Sequence, residues 1–179
     1  MGKLYNAYIS SYRMDTPQWG DFLKACGDIY NSPQLKSLEK YEQHFKINRL
    51  QHIRSVAYLS FLIARKLKLN YVETARAAVM HDLFYYDWRE NDLSHKLHGY
   101  RHPGFALKNA YYLCGTLSKR ERDIIKKHMW PLTPALPRYP ESFVVTMMDK
   151  YCAAIEMYYS FSEKYRDEFH KLTGIGGEK

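Results

Sequence analysis

The 179-residue chain is poor in several features that would have directed a reading elsewhere. It has three cysteines, Cys26, Cys114 and Cys152, an odd number set in apolar surroundings. That argues against a disulfide framework and for small core residues in a reducing compartment. No CxxC pair suggests a zinc knuckle. No uninterrupted apolar run approaches the roughly 18 residues needed to span a bilayer. The opening MetGlyLysLeuTyrAsnAlaTyr is too polar for a secretory signal, so a cytoplasmic protein with no membrane partner is expected. Glycine-rich phosphate loops, internal repeats and convincing strand segments are also missing.

What is present suits one globular domain over residues 1–179, with 46% apolar residues and regular periodic segments. The formal charge of +8 should attract anions such as phosphate esters or nucleic acid. The basic clusters Lys119-Arg120, Lys126-Lys127 and Lys164 to Arg166 fall at solvent-facing helical positions, where a charge run usually marks a wetted face. The 17 tyrosines could stack on bases, but such residues more often close helix packing with the hydroxyl reaching water.

The periodicity predicts an all-α, single compact domain of about seven helices. Residues 1 to about 15 carry no clear period and read as a loosely packed arm. Thr16-Pro17 and Ser32-Pro33 each read as a hydroxyl cap before a proline at the first helical position. The second of these helices, with Leu35, Leu38, Glu42 and Phe45 in one stripe, is expected to be a cover helix, so that residues 1–47 form an arm and cover over a core at 48–158. From Asn48 to Leu67 a wide apolar face marks the central helix, and Leu69-Asn70 turns the chain into a second helix beginning at Tyr71. Beyond Trp88 a polar loop holds His95, His98 and Gly99. His102-Pro103 is expected to open a helix to Leu113, and Ser118 to Glu121 is a capping box for a helix ending near His128. A proline-punctuated loop at 131–140 leads to a long last helix from about Glu141 to Phe161. Residues 159–179 should be its end and a flexible tail, frayed from Thr173.

Certain polar residues sit on apolar faces. In the second core helix Ala75, Ala78, Val79 and Asp82 share one stripe, and Ala77, Ala78 and His81 the next, so the His81-Asp82 pair starts from the buried side. His52 lies in line with Val56, Leu59 and Ile63. Asp149 shares a side with Val145, Met148, Cys152, Ala153 and Glu156. His102 and His128 stand at helix ends. Any one such histidine is usually a hydrogen-bonded core residue. Two buried carboxylates with four histidines are costly unless they pair or hold a cation, and mixed nitrogen and oxygen donors suit Mn²⁺, Fe²⁺, Co²⁺, Ni²⁺ or Zn²⁺. His98, four positions before His102, is an alternative ligand, while His44 and His170 read as solvent-side residues.

The ordered set His52, His81-Asp82, His102, His128 and Asp149 resembles the HD superfamily of metal-dependent phosphohydrolases, whose pattern is H…HD…D with two extra histidines in two-metal members. The resemblance implies that His52, His81, Asp82 and Asp149 hold one cation, and that Asp82 bridges to a second held by His102 and His128. Such a pair, about 3.5–4 Å apart, can share a hydroxide for in-line attack on a phosphoryl group. The implied function is hydrolysis of a small phosphomonoester or phosphodiester, a nucleotide above all. Lys150, Arg54, Arg101 and Lys127 are candidate phosphate contacts. Asp87 is a candidate general acid or base, and Tyr85, Tyr86 and Trp88 are candidate pocket walls. LeuPheTyrTyr follows His81-Asp82 in place of Ile-Gly-Lys, and no Gly-Tyr-Pro follows, which argues against cyclic di-GMP as substrate. Tyr85 stands where the deoxynucleotide monophosphatase branch has a glutamate. The competing expectation is a metal-stabilised binding module with a basic, tyrosine-rich surface for nucleic acid or a partner protein.

Overall fold

A computed structural model describes residues 2–44, 47–90 and 96–174. Among them are nine α-helices: α1 Lys3–Arg13, α2 Pro17–Tyr30, α3 Pro33–Lys36, α4 Arg49–Lys66, α5 Tyr71–Met80, α6 His98–Cys114, α7 Lys119–Lys127, α8 Pro140–Ser160 and α9 Glu163–Thr173. The all-α expectation holds, with nine helices where about seven were expected. A 3-10 turn at Ser37–Lys40 leads to a short antiparallel hairpin, β1 Glu42–His44 and β2 Ile47–Asn48, which the sequence pattern did not suggest.

Helix α4 is the axis of the domain. Asn48 and Gln51 form a capping box at its start, and Ile53, Val56, Ala57, Leu59, Phe61 and Ala64 are fully buried along it. Each large side chain of that set contributes roughly 1.5–3 kcal/mol by leaving water. The helix ends in a left-handed turn at Lys68 (φ 58°), with Leu69 N–H donating to the Ala64 carbonyl (2.9 Å) and Lys68 N–H to that of Arg65 (3.1 Å). These bonds satisfy the last carbonyls and send the chain back as α5. Ala75, Ala77 and Ala78 are buried on α5, and their small side chains let it lie close against α4, its most extensive partner. The other long partners of α4 are α8 and α1. Helix α5 stops at Met80, so His81 and Asp82 lie in the turn just past its end.

Several boundaries differ from expectation for identifiable reasons. The first residues are a packed helix and not an arm: Tyr8 and Tyr12 are buried against Phe169 of α9 (ring centroids 6.2 and 5.3 Å), and the Ser11 and Ser55 hydroxyls bond at 2.9 Å. Thr16 does not cap α2 with its side chain, because its hydroxyl bonds that of Tyr58. Ser32 does cap Leu35 N–H (3.3 Å), but α3 lasts four residues. Leu35 and Leu38, three apart, are buried across α3 and the tighter 3-10 turn, and Glu42 belongs to β1, so no cover helix forms. Phe45 and His95 lie outside the described residues. Helix α6 begins at His98, four residues before the expected cap, and carries Pro103 inside it, at the cost of one bond to the Gly99 carbonyl. Residues 163–173 form a separate helix, closed by Gly174 at φ 75°, where a loose tail was expected; 175–179 lie outside the described residues. All three cysteines are free. Among the described residues, no helix is long and apolar enough to cross a membrane.

Candidate metal centre

Five chain segments converge on one buried cluster. The first turns of α4 bring His52, the turn after α5 brings His81 and Asp82, and α6 brings His102. The C-cap of α7 brings His128, and the middle of α8 brings Asp149. All six side chains are buried. His52 Nε2 lies 3.1 Å from Asp149 Oδ1, and His81 Nε2 lies 3.7 Å both from Asp149 Oδ1 and from Asp82 Oδ2. On the other side, Asp82 Oδ1 lies 3.2 Å from His102 Nε2 and 3.5 Å from His128 Nε2. Among the described residues three groups have metal-ligand spacing: His52-His81-Asp82 and Asp82-His102-His128, which share Asp82, and His44-His52-Glu156, which adjoins the first through His52.

The hydrogen bonds on the far side of each imidazole fix its tautomer. His81, His102 and His128 each place Nδ1 on a backbone carbonyl three or four residues back: Ala78 (2.7 Å), His98 (3.0 Å) and Ile125 (2.9 Å). A carbonyl only accepts, so each Nδ1 carries a proton, and each ring when neutral turns an Nε2 lone pair inward. His52 places Nδ1 2.9 Å from Glu156 Oε2, the carboxylate–imidazole pairing that orients metal-ligating histidines. His102 and His128 then face each other Nε2 to Nε2 at 2.8 Å, two acceptors that need a proton or a cation beside them. The His81 Nε2 and Asp82 Oδ1 atoms are buried without a hydrogen bond. Buried acceptors without a protein partner are what a divalent cation would satisfy, so the donor set fits one.

Electrostatics point the same way. Burial pushes the Asp82 carboxyl up, but His81, His102 and His128 outweigh it and hold it well below the usual carboxylate range. Asp149 is held low against burial by His52 and His81. Burial alone would depress His52, yet Glu156 and Asp149 on its two sides raise it well above the ordinary histidine value. His81 is raised against burial by Asp82 and Asp149, whereas burial dominates at His128 and lowers it.

Around the cluster are residues that sequence reasoning missed. Gln43 Nε2 donates to Asp82 Oδ2 (2.8 Å), and its Oε1 accepts from the Nε of the fully buried Arg49 (2.8 Å). His44 is half-buried beside His52, with ring centroids 5.2 Å apart, and lines the cleft into which the cluster opens. His170 is likewise half-buried. Glu156 was visible on the buried side of α8, but its bond to His52 depends on how α4 and α8 cross.

The cluster opens into a cleft of about 400 Å³, whose walls include Trp88, His98, Met129, Leu132 and Lys150. His98 stacks between Trp88 (5.7 Å, 18°) and His102 (4.5 Å, 20°), and its Nδ1 lies 3.0 Å from the Tyr86 hydroxyl. It therefore backs His102, and His102 is the residue that reaches Asp82. Lys150 lies at the cleft, its Nζ 3.5 Å from Asp149 Oδ2 and donating to the His128 carbonyl at 3.0 Å. Three expected cationic contacts are elsewhere. Arg54 leans on Tyr12 and Met14, because two residues along a helix from His52 is about 200° around it. Arg101 is exposed over Phe105, and Lys127 is tied to Asp123 and the Leu136 carbonyl. Asp87 does not line the cleft either: Arg89 clamps it and lowers it to about 2, unsuited to carrying a proton near neutrality. Of the three candidate aromatic walls Trp88 lines the cleft, while Tyr85 and Tyr86 do not.

No protein-family model, no curated protein and no solved structure matches the chain. The functional reading therefore rests on the site.

Proposed function

We propose that this chain is an HD-type, metal-dependent phosphohydrolase acting on a small phosphomonoester or phosphodiester, with a nucleotide as the leading substrate. The observation that carries the reading is the pair of ligand groups sharing Asp82 at the floor of a cleft. His52, His81, Asp82 and Asp149 would hold one cation, and Asp82, His102 and His128 a second. Bound there, Mn²⁺ or a similar ion would polarise a phosphoryl oxygen and lower the pKa of a water. Nitrogen and oxygen donors without thiolate favour the set Mn²⁺, Fe²⁺, Co²⁺, Ni²⁺ and Zn²⁺, since no cysteine belongs to either group.

The chain's own groups have distinct tasks. Lys150 places an ammonium beside the cluster, where it meets the negative charge of an entering phosphate. Trp88, Met129 and Leu132 form an apolar wall that receives the body of the substrate and displaces water. Glu156 holds the His52 ring in register, and the Ala78, His98 and Ile125 carbonyls do the same for the other three. Burial strengthens the bonds that hold the imidazoles relative to water.

The test is a panel of mononucleotides, cyclic nucleotides and generic phosphoesters assayed with each metal, with chelator, and with Asp82→Ala. Turnover that needs the metal and vanishes in the variant supports the proposal. Absence of turnover from every ester, with cations shown to be bound, would leave a metal-stabilised binding module instead.

A further inference from the structure

A buried arginine that touches no carboxylate among the described residues is an expensive feature, and its bonds lead to the centre. Arg49 is fully buried, stacked on Phe84 with the guanidinium 3.6 Å from the ring centroid. It donates from Nη1 to the Phe84 carbonyl (2.7 Å), from Nη2 to the Tyr86 carbonyl (3.1 Å) and from Nε to Gln43 Oε1 (2.8 Å). Arginine can only donate, so Gln43 must turn its oxygen toward Arg49 and its NH₂ toward Asp82 Oδ2, which it reaches at 2.8 Å. The chemistry of the chain of bonds leaves no second orientation for the amide. An apolar side chain would fill the space at lower cost than a buried cation, so stability alone gives no reason for it.

We propose that Gln43 and Arg49 are positioning residues that hold the Asp82 carboxylate across both halves of the centre, and that this bond is what admits the second cation. The inference rests on the metal reading above. With Oδ2 pinned by Gln43, Oδ1 is left facing His102 and His128 at 3.2 and 3.5 Å. A free carboxylate turns readily about its last bond, and could bring both oxygens to one side. The two halves feel that loss unequally. The first keeps His52, His81 and Asp149 whatever Asp82 does, whereas the second has only His102 and His128 besides it. The short β1–β2 hairpin, otherwise an unexpected addition to a helical domain, delivers Gln43 to this point.

The test is Mn²⁺ titration of chelated full-length protein by calorimetry, with the electron paramagnetic resonance spectrum recorded at two equivalents. Gln43→Glu is close in shape and keeps an oxygen for Arg49, but once ionised has no proton to donate to Asp82; Gln43→Leu removes both bonds. The wild type should show two binding steps and an exchange-coupled spectrum. In both variants the first step should stay within about twofold while the second weakens about 10- to 100-fold. The spectrum should then revert to the six-line pattern of isolated Mn²⁺. Arg49→Lys should move the second step in the same direction, since an ammonium cannot replace the three-way fork. Two normal steps in Gln43→Glu would overturn the relay alone, as would an equal loss of both steps with a lowered melting temperature. A wild type that takes up no Mn²⁺ would overturn the metal reading and the relay with it.

Discussion

Cation binding to this cluster should be a competition with protons, and its pH dependence can be worked out from the two histidines that hold them most firmly. His52 and His81 are both raised from the ordinary value near 6.5 by the carboxylates around them, against the opposing effect of burial. In the metal-free protein both therefore hold their protons to higher pH than an ordinary histidine, and a cation must displace them, whereas His128, lowered by burial, gives its proton up at lower pH. Loss of one to two protons makes binding about 10- to 100-fold weaker per pH unit lost, or roughly 1.4–2.7 kcal/mol. At a Mn²⁺ concentration about 100 times the dissociation constant, binding stabilises the fold by about 2.7 kcal/mol. For a chain of this size that is a rise in melting temperature of roughly 5–11 °C. Lowering the pH from 7 to 6 at the same Mn²⁺ should remove about half of that rise for one proton and most of it for two. Without metal the raised groups act in the opposite sense: their stabilisation is complete below about pH 6.5 and is lost as pH climbs through their folded values. His44 and His128, both lowered by burial, temper this only on the acid side. Thermal melts with Mn²⁺ or chelator at pH 6, 7 and 8, with calorimetry in buffers of different ionisation enthalpy to count protons, make the measurement. A Mn²⁺-induced shift that does not change with pH, or binding with no proton release, would refute the reasoning.

Other outcomes follow from the same geometry. Glu156→Gln keeps an acceptor for His52 but removes the charge behind it, and should weaken the first Mn²⁺ step about tenfold in calorimetry. His102→Ala should lose the second cation while His98→Ala keeps both, which elemental analysis of the two variants would show. Arg54→Ala and Asp87→Asn should leave phosphoester turnover within about twofold of wild type, because neither lines the cleft, whereas Lys150→Met should raise KM. Ile53→Ala empties a fully buried position on α4 and should cost about 2–5 kcal/mol by urea denaturation.

The parts of this protein that could be read from residues alone are those set by local periodicity. His52, His81, Asp82 and Asp149 announce themselves as polar groups on apolar faces, and the capping box at Ser118 placed α7 and hence His128. Where tertiary geometry decides, the sequence was silent or misleading. Residues 1 to about 15 show no clear period and read as a loose arm, yet the Tyr8 and Tyr12 rings are core and their hydroxyls bond each other at 2.9 Å. Pro103 suggested a helix start, but a proline in the second turn forfeits only one bond, and α6 runs through it. Arg54 was close to His52 in sequence and on the far side of the helix in space. Asp87 was close to His81-Asp82 and taken by Arg89. The Arg49–Gln43 bond could not be foreseen, because it needs a hairpin that no run of alternating residues signals.

The central claim is that one buried carboxylate serves two cations, and anomalous X-ray scattering at the manganese edge from crystals grown with Mn²⁺ tests it most directly. The account predicts two peaks per chain on either side of Asp82, one in reach of His52, His81 and Asp149, the other in reach of the Nε2 atoms of His102 and His128. No peak at the cluster, or cations bound elsewhere with Asp82 uncoordinated, would contradict it.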